Sequence, residues 1–139
     1  TAESCTGGLI GDRLTNVSGS SGYYNGGIVA YSNEVKESEI NVKKETLESV
    51  GAVSEETALE MANGIRKKFN ADIGVSTTGI AGPNGGTDEK PVGLVYVGIS
   101  SGKVEKVYRF RFTSHRKTNK LMTSQAALNI TRLHLLNGL

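Results

Sequence analysis

The sequence Thr1-Ala2-Glu3-Ser4-Cys5-Thr6-Gly7-Gly8 sets a hydroxyl and a thiol where a strand turns into a helix. The start of a helix offers unpaired backbone N–H groups and partial positive charge. Such N–H groups stabilise the oxyanion formed in acyl transfer. Ser4 is therefore a candidate nucleophile, with Cys5 as a thiol alternative. On spacing alone, Ser4 and Thr6 read more readily as helix N-caps. The G-x-S-x-G elbow is absent, because Ala2 and Thr6 stand where that pattern has glycine.

A serine nucleophile needs a base. His134 falls among Leu133, Leu135 and Leu136 and reads as a packing or surface residue, while His115 has no identifiable partner. A Ser-His-Asp triad is thus unsupported. Lysine is the other option, since desolvation lowers its pKa until the amine can act as a base. Lys36 follows the apolar run that ends at Tyr31, on the side of the sheet where Ser4 is expected. The plain alternative for any lysine is a solvated surface position.

Metal chemistry has no support: H-E-x-x-H, C-x-x-C and close His/Asp/Glu groupings are all missing. The run from Gly79 to Lys90, which holds Gly82, Gly85 and Gly86, is not a P-loop, because no Gly-Lys-Ser/Thr ends it. Its backbone N–H groups can still cradle a phosphate or ribose. His115-Arg116-Lys117 with Lys120 is a basic cluster, readable as a solvated helix start or as a phosphate anchor. No cofactor fingerprint is present, G-x-G-x-x-G included.

These residues need a scaffold, and helices and strands alternate along the sequence. Gly7–Val17 has helical apolar spacing, which predicts a helix starting near Thr6. Gly26–Ser32 reads as a buried strand, and Asn33–Val50 as two short helical pieces. Ser54 is a plausible N-cap for a helix carrying Ala58, Leu59, Ala62, Ile65 and Phe69, with Arg66, Lys67 and Lys68 in its last turn. Asp72–Thr77 is a strand. Gly93–Ser100 and Val104–Phe112 form a hairpin turning at Ser101-Gly102, with Val107, Phe110 and Phe112 set against Lys106, Arg109 and Arg111. A last helix spans about Arg116 to Leu136. The pattern predicts a three-layer α/β/α sandwich around a mixed, mostly parallel sheet containing one antiparallel strand.

The 139 residues suit one domain with a single core, over residues 1–139. A net charge of +2 from 16 basic and 14 acidic residues argues against a nucleic-acid face. No apolar run has membrane-spanning length and no charged-then-apolar leader is present, so no membrane partner is expected. The lone cysteine rules out an intramolecular disulfide and fits a reducing, cytoplasmic setting. The 18 glycines gather at Gly7-Gly8, Ser18–Gly27 and Gly74–Gly86. Three such groups point to backbone shaped around a ligand.

Taken together, Ala2-Glu3-Ser4-Cys5-Thr6-Gly7-Gly8, Gly19-Ser20-Ser21, Tyr31-Ser32-Asn33-Glu34-x-Lys36, Gly51-Ala52-Val53-Ser54-Glu55, Gly79-Ile80-Ala81-Gly82-Pro83-x-Gly85-Gly86 and Lys90-Pro91-Val92-Gly93 resemble the CinA C-terminal domain family. The resemblance implies the same three-layer fold. It also implies a nicotinamide-nucleotide amidase, converting nicotinamide mononucleotide to nicotinic acid mononucleotide and ammonia without a cofactor. It carries the nucleophile to Ser4, the lysine base to Lys36 and the motif tyrosine, a proton orienter or relay, to Tyr31. Substrate-binding roles fall on Thr6, Gly7, Gly8, Thr78, Gly79, Gly82, Gly85, Gly86 and Arg116, with Arg111 and Lys120 competing for the arginine's place. The N–H groups of Thr6 to Gly8 are expected to hold the oxyanion.

The family has a helix and a strand ahead of the serine motif, and that helix and strand are expected to be missing from residues 1–139. It occurs alone or behind a fused N-terminal domain, and analogy suggests a homodimer, which no feature of this sequence requires. The alternative reading is a catalytically silent nucleotide-binding domain that regulates a larger competence- or damage-associated protein. Asn41 stands where relatives often carry glycine, and asparagine tolerates the positive φ that glycine would supply.

Overall fold

The structure, a computed structural model, describes residues 1–137. Strands are β1 (Ala2–Glu3), β2 (Ile28–Val29), β3 (Ile73–Gly79), β4 (Leu94–Ser101) and β5 (Glu105–Arg111). Helices are α1 (Leu9–Thr15), α2 (Asn33–Ile40), α3 (Lys44–Ser49), α4 (Glu55–Lys68) and α5 (Arg116–Leu136). The sheet order is β2-β1-β3-β4-β5. β1 is parallel to β2 and β3, whereas β4 is antiparallel to both β3 and β5. One strand therefore runs against the rest, as the alternating pattern predicts. No described helix is long and apolar enough to cross a membrane.

Strand residues alternate between two faces, and each face buries its own apolar cluster. Ala2, Ala30, Ile40, Val42, Met61 and Ile65 pack together on the side covered by α2, α3 and α4. Ile10, Val75, Val97, Ile99, Ala127 and Ile130 pack on the side covered by α1 and α5. Two cores on one sheet correct the expectation of a single core.

Local chemistry sets the element ends. The Ser54 hydroxyl accepts from Thr57 N at 3.2 Å and caps α4, while Arg66, Lys67 and Lys68 occupy its last turn. A helix-end cap of this kind contributes about 1 kcal/mol. α2 stops at Asn41, which adopts φ 56°, the conformation expected of a residue replacing glycine there. α4 crosses α2 closely because Gly64 has no side chain; a Cβ at that position would strike the Ile40 carbonyl.

Three further expectations need correction. α1 begins at Leu9 and not near Thr6, because Gly7 and Gly8 adopt φ 61° and 100° and the side chain of Glu3 takes the N–H groups of Ile10 and Gly11. The buried strand expected over Gly26–Ser32 shortens to Ile28–Val29, and Val29 and Tyr31 are 49% and 62% exposed. β2 is an edge strand paired only with β1; Ile28 and Ala30 pack on the α2–α4 side, and the opposite face, with Val29 and Tyr31, is left largely uncovered. In β5, Tyr108 and Phe110 face the α5 side, with Lys106 Nζ 4.8 Å above the Tyr108 ring. A two-residue period puts Val107 on the opposite face from Phe110.

Candidate active site

Ser4 lies just past β1. Its backbone N–H donates to Thr77 O at 2.9 Å, which extends the β1–β3 ladder to the end of the strand. The turn that follows is held from beneath. Glu3, 2% exposed, accepts from Thr6 Oγ1 at 2.6 Å and from Ile10 N at 2.9 Å through one oxygen, and from Gly11 N at 3.0 Å through the other. The Thr6 and Thr77 hydroxyls share a 2.7 Å hydrogen bond. The Thr6 side chain is thus a buried brace, and only its backbone can meet a substrate.

Lys36 comes from the first turns of α2, whose start Ser32 caps by accepting from Val35 N. Its side chain is 1% exposed, and its Nζ stands 3.1 Å from Ser4 Oγ, 2.8 Å from Ala30 O and 3.1 Å from Tyr31 O. Burial lowers the pKa of Lys36, against the opposing pull of Cys5 and Glu34. A neutral amine has two N–H groups and one lone pair. Two carbonyls can take the N–H groups, which leaves the lone pair for the Ser4 hydroxyl proton. Cys5 is disfavoured as a nucleophile: it is buried, and burial pushes its thiol up to about 12.

Backbone N–H groups around Ser4 differ in availability. Gly7 N donates to Ser4 O at 3.1 Å and Leu9 N to Thr6 O at 3.1 Å. Cys5, Thr6 and Gly8 N–H donate to no backbone carbonyl among the described residues, the Cys5 N–H lying against its own thiol. Of the expected donors Thr6 to Gly8, Gly7 N–H is thus engaged within the turn, while Thr6 and Gly8 N–H are not.

Ser4, Tyr31, Lys36, Thr78, Gly79 and Arg116 line one cleft of about 210 Å³. Arg116, also in the lining, donates to Gly82 O at 2.8 Å and to the Tyr31 hydroxyl at 3.2 Å. Tyr31 thus touches the site in two ways, through its carbonyl on Lys36 and its phenol on Arg116, and the phenol bonds to neither Ser4 nor Lys36. Thr78 spends its hydroxyl on Ala52 O at 2.7 Å. Gly7 and Gly8 line a second cleft, which also includes Arg116 and Lys120. Arg111 lies in β5 opposite Leu94 and lines neither cleft.

Gly85 and Gly86 do not reach either cleft. The loop folds back on itself through Gly93 N to Ile80 O at 2.7 Å and Thr87 N to Lys90 O at 2.8 Å. Gly86 is pressed against Val92. Of the two histidines, His115 is exposed and His134 is buried in α5, and neither lines the Ser4 cleft.

Four supporting residues escaped sequence reading. Glu3 braces the Ser4 turn, and Asn33 lines the cleft beside Lys36. Lys90 Nζ donates to Val50 O at 2.5 Å and ties the 80–92 loop to the 50–54 segment. Asn119, 1% exposed, donates to Ala81 O and Ser114 O at 3.0 Å each and fixes the start of α5, hence Arg116. Asn33 and Lys36 are three apart on a helix, a same-face spacing that was available as a signal.

A family model described as the CinA C-terminal domain matches residues 1–135. A Halothermothrix orenii relative named as a competence-damage inducible protein is 59% identical over 91% of this chain and 31% of its own length. A CinA-like protein of Syntrophomonas wolfei is 49% identical over 99% of this chain and 33% of its own length. The chain thus spans about a third of the curated relatives it matches. Among solved structures, the competence/damage inducible protein CihA of Agrobacterium tumefaciens superposes with a TM-score of 0.92 at 43% identity, covering 98% of this chain and 82% of that one.

Proposed function

We propose that this chain, which belongs to the CinA C-terminal domain family, is an amidohydrolase that converts nicotinamide mononucleotide to nicotinic acid mononucleotide and ammonia. One observation carries the reading: a buried lysine amine 3.1 Å from a serine hydroxyl, both lining one cleft. Pure nucleotide binding has no use for a desolvated lysine aimed at a hydroxyl, because burying a cation costs stability.

In this mechanism neutral Lys36 takes the Ser4 proton as Oγ attacks the carboxamide carbon. The Cys5 and Thr6 N–H groups hold the oxyanion, and they need no reorganisation because the braced turn already fixes them. Collapse breaks the C–N bond, and the Lys36 ammonium returns its proton to the departing nitrogen, which leaves as ammonia. Water then attacks the serine ester, Lys36 again accepting the proton, and the acid is released with Ser4 regenerated. Tyr31 holds Lys36 through its carbonyl and Arg116 through its phenol, so both side chains keep their places.

The test is ammonia release from nicotinamide mononucleotide by the wild-type protein and by Ser4→Ala and Lys36→Met. Release is expected from the wild type and abolished in both variants, whose circular dichroism stays native. Near-normal release in either variant ends the mechanism, and none from the wild type ends the amidase reading.

A further inference from the structure

Asn119 lines neither cleft, yet its buried amide is fully engaged. Nδ2 donates to Ala81 O and to Ser114 O, each at 3.0 Å, and Oδ1 accepts from Ser114 N at 3.1 Å. Those are both of the donors that a carboxamide nitrogen has. Three stretches of chain meet at this one side chain: the loop after β3, the turn after β5 and the start of α5.

The bonds to Ser114 join two defined helix positions. His115 is the N-cap of α5 and makes no side-chain cap hydrogen bond, so Ser114 stands one residue before the cap and Asn119 is the fourth residue of the helix. An apolar pair at these two positions often fixes the angle at which a chain enters a helix. Such a pair would serve α5 without burying an amide, which is unfavourable unless every polar atom finds a partner. The polar choice is explained by the bond that an apolar residue lacks, the one to Ala81 O.

That bond has a companion. Arg116, three residues earlier and so on the same side of the helix, donates to Gly82 O at 2.8 Å. α5 thus grips two successive carbonyls, and Ala81 and Arg116 both line the Ser4 cleft. Arg116 is exposed, so its bond to Gly82 holds the guanidinium only while that carbonyl stays in place.

We infer that Asn119 is a positioning residue: it sets the Ala81–Gly82 backbone against α5 and so fixes Arg116 in the Ser4 cleft. Its effect on turnover rests on the amidase reading, whereas its effect on Arg116 does not.

The experiment follows Arg116 directly and through turnover in the wild type, Asn119→Ala, Asn119→Leu, Arg116→Ala and the double variant Arg116→Ala with Asn119→Ala. Leucine keeps side-chain bulk at the helix position and stands in if the alanine variant fails to fold. The Arg116 Nε–H resonance, identified by its loss in Arg116→Ala, is expected to be ordered in the wild type. In both Asn119 variants it should become mobile on the picosecond-to-nanosecond scale. For ammonia release from nicotinamide mononucleotide, kcat/KM is expected to fall about tenfold or more in each Asn119 variant. The loss should fall on the same parameter, kcat or KM, that Arg116→Ala changes. The double variant should lose no more than Arg116→Ala alone, whereas an independent structural loss would add to it. An Arg116 signal unchanged by both Asn119 substitutions overturns the inference, as do additive losses in the double variant. Loss of the fold in both Asn119 variants overturns it too, since the residue would then be structural. No release from the wild type would retire the amidase reading and leave the Arg116 signal to decide the role of Asn119.

Discussion

Glu3 accepts a 2.6 Å hydrogen bond from Thr6 Oγ1 across the turn that carries Ser4, and its two oxygens also take the N–H groups of Ile10 and Gly11. The residue before the nucleophile thus ties the nucleophile's turn to the helix beyond it. Glu3→Ala strands two amides and leaves the Thr6 hydroxyl only its bond to Thr77. We expect a loss of about 3 kcal/mol in urea unfolding, and about 1–2 kcal/mol for Glu3→Gln, which keeps one acceptor oxygen. An unchanged midpoint in the alanine variant would show that the brace contributes nothing.

Cys5 sits beside Ser4, yet burial pushes its thiol up to about 12. At pH 8 that leaves a thiolate fraction on the order of 10⁻⁴, and the thiolate is the reactive form. Iodoacetamide should therefore spare the native protein and its ammonia release while labelling the urea-unfolded chain. Rapid stoichiometric labelling of native protein, with parallel loss of turnover, would move the nucleophile from Ser4 to Cys5.

Much of the scaffold was legible because apolar periodicity and helix-end chemistry are local. The α4 helix, with Ser54 at its start and three cations at its end, and the hairpin at Ser101-Gly102 are read directly from spacing. β2 misled because four apolar or aromatic residues in a row suggest burial on both faces, and whether a strand lies at the edge of a sheet is decided by pairing with distant segments. β5 misled through a slip of one residue in the alternation.

The site divides along the same line. The Ser4–Lys36 contact joins residues 32 apart in sequence; the order of elements only puts Lys36 within reach of Ser4, and the family resemblance is what singles it out from other lysines. Nothing in spacing marks Glu3 as a cap, since its partners lie in a helix that starts after two left-handed glycines. Gly85 and Gly86 look like ligand-binding backbone, yet neither lines the two clefts and Gly86 is confined by Val92, because glycine is equally suited to binding and to close packing.

Lys36 gives the remaining prediction, and it concerns both rate and stability. Burial lowers its folded-state pKa below the ordinary 10.5. The general base is the neutral amine, so kcat/KM should rise about tenfold per pH unit below that lowered pKa and level off above it. The same shift links to folding. Between the folded and unfolded pKa values the unfolded chain binds the extra proton, so stability rises with pH across that window. Below it both states are protonated, and the cost of the buried cation is fully present. Lys36→Met should therefore abolish turnover, remove this part of the pH slope, and unfold at higher urea than wild type at neutral pH. Parallel urea midpoints for the two proteins across neutral to alkaline pH would mean that Lys36 carries no desolvation cost, and the base assignment would lose its physical ground.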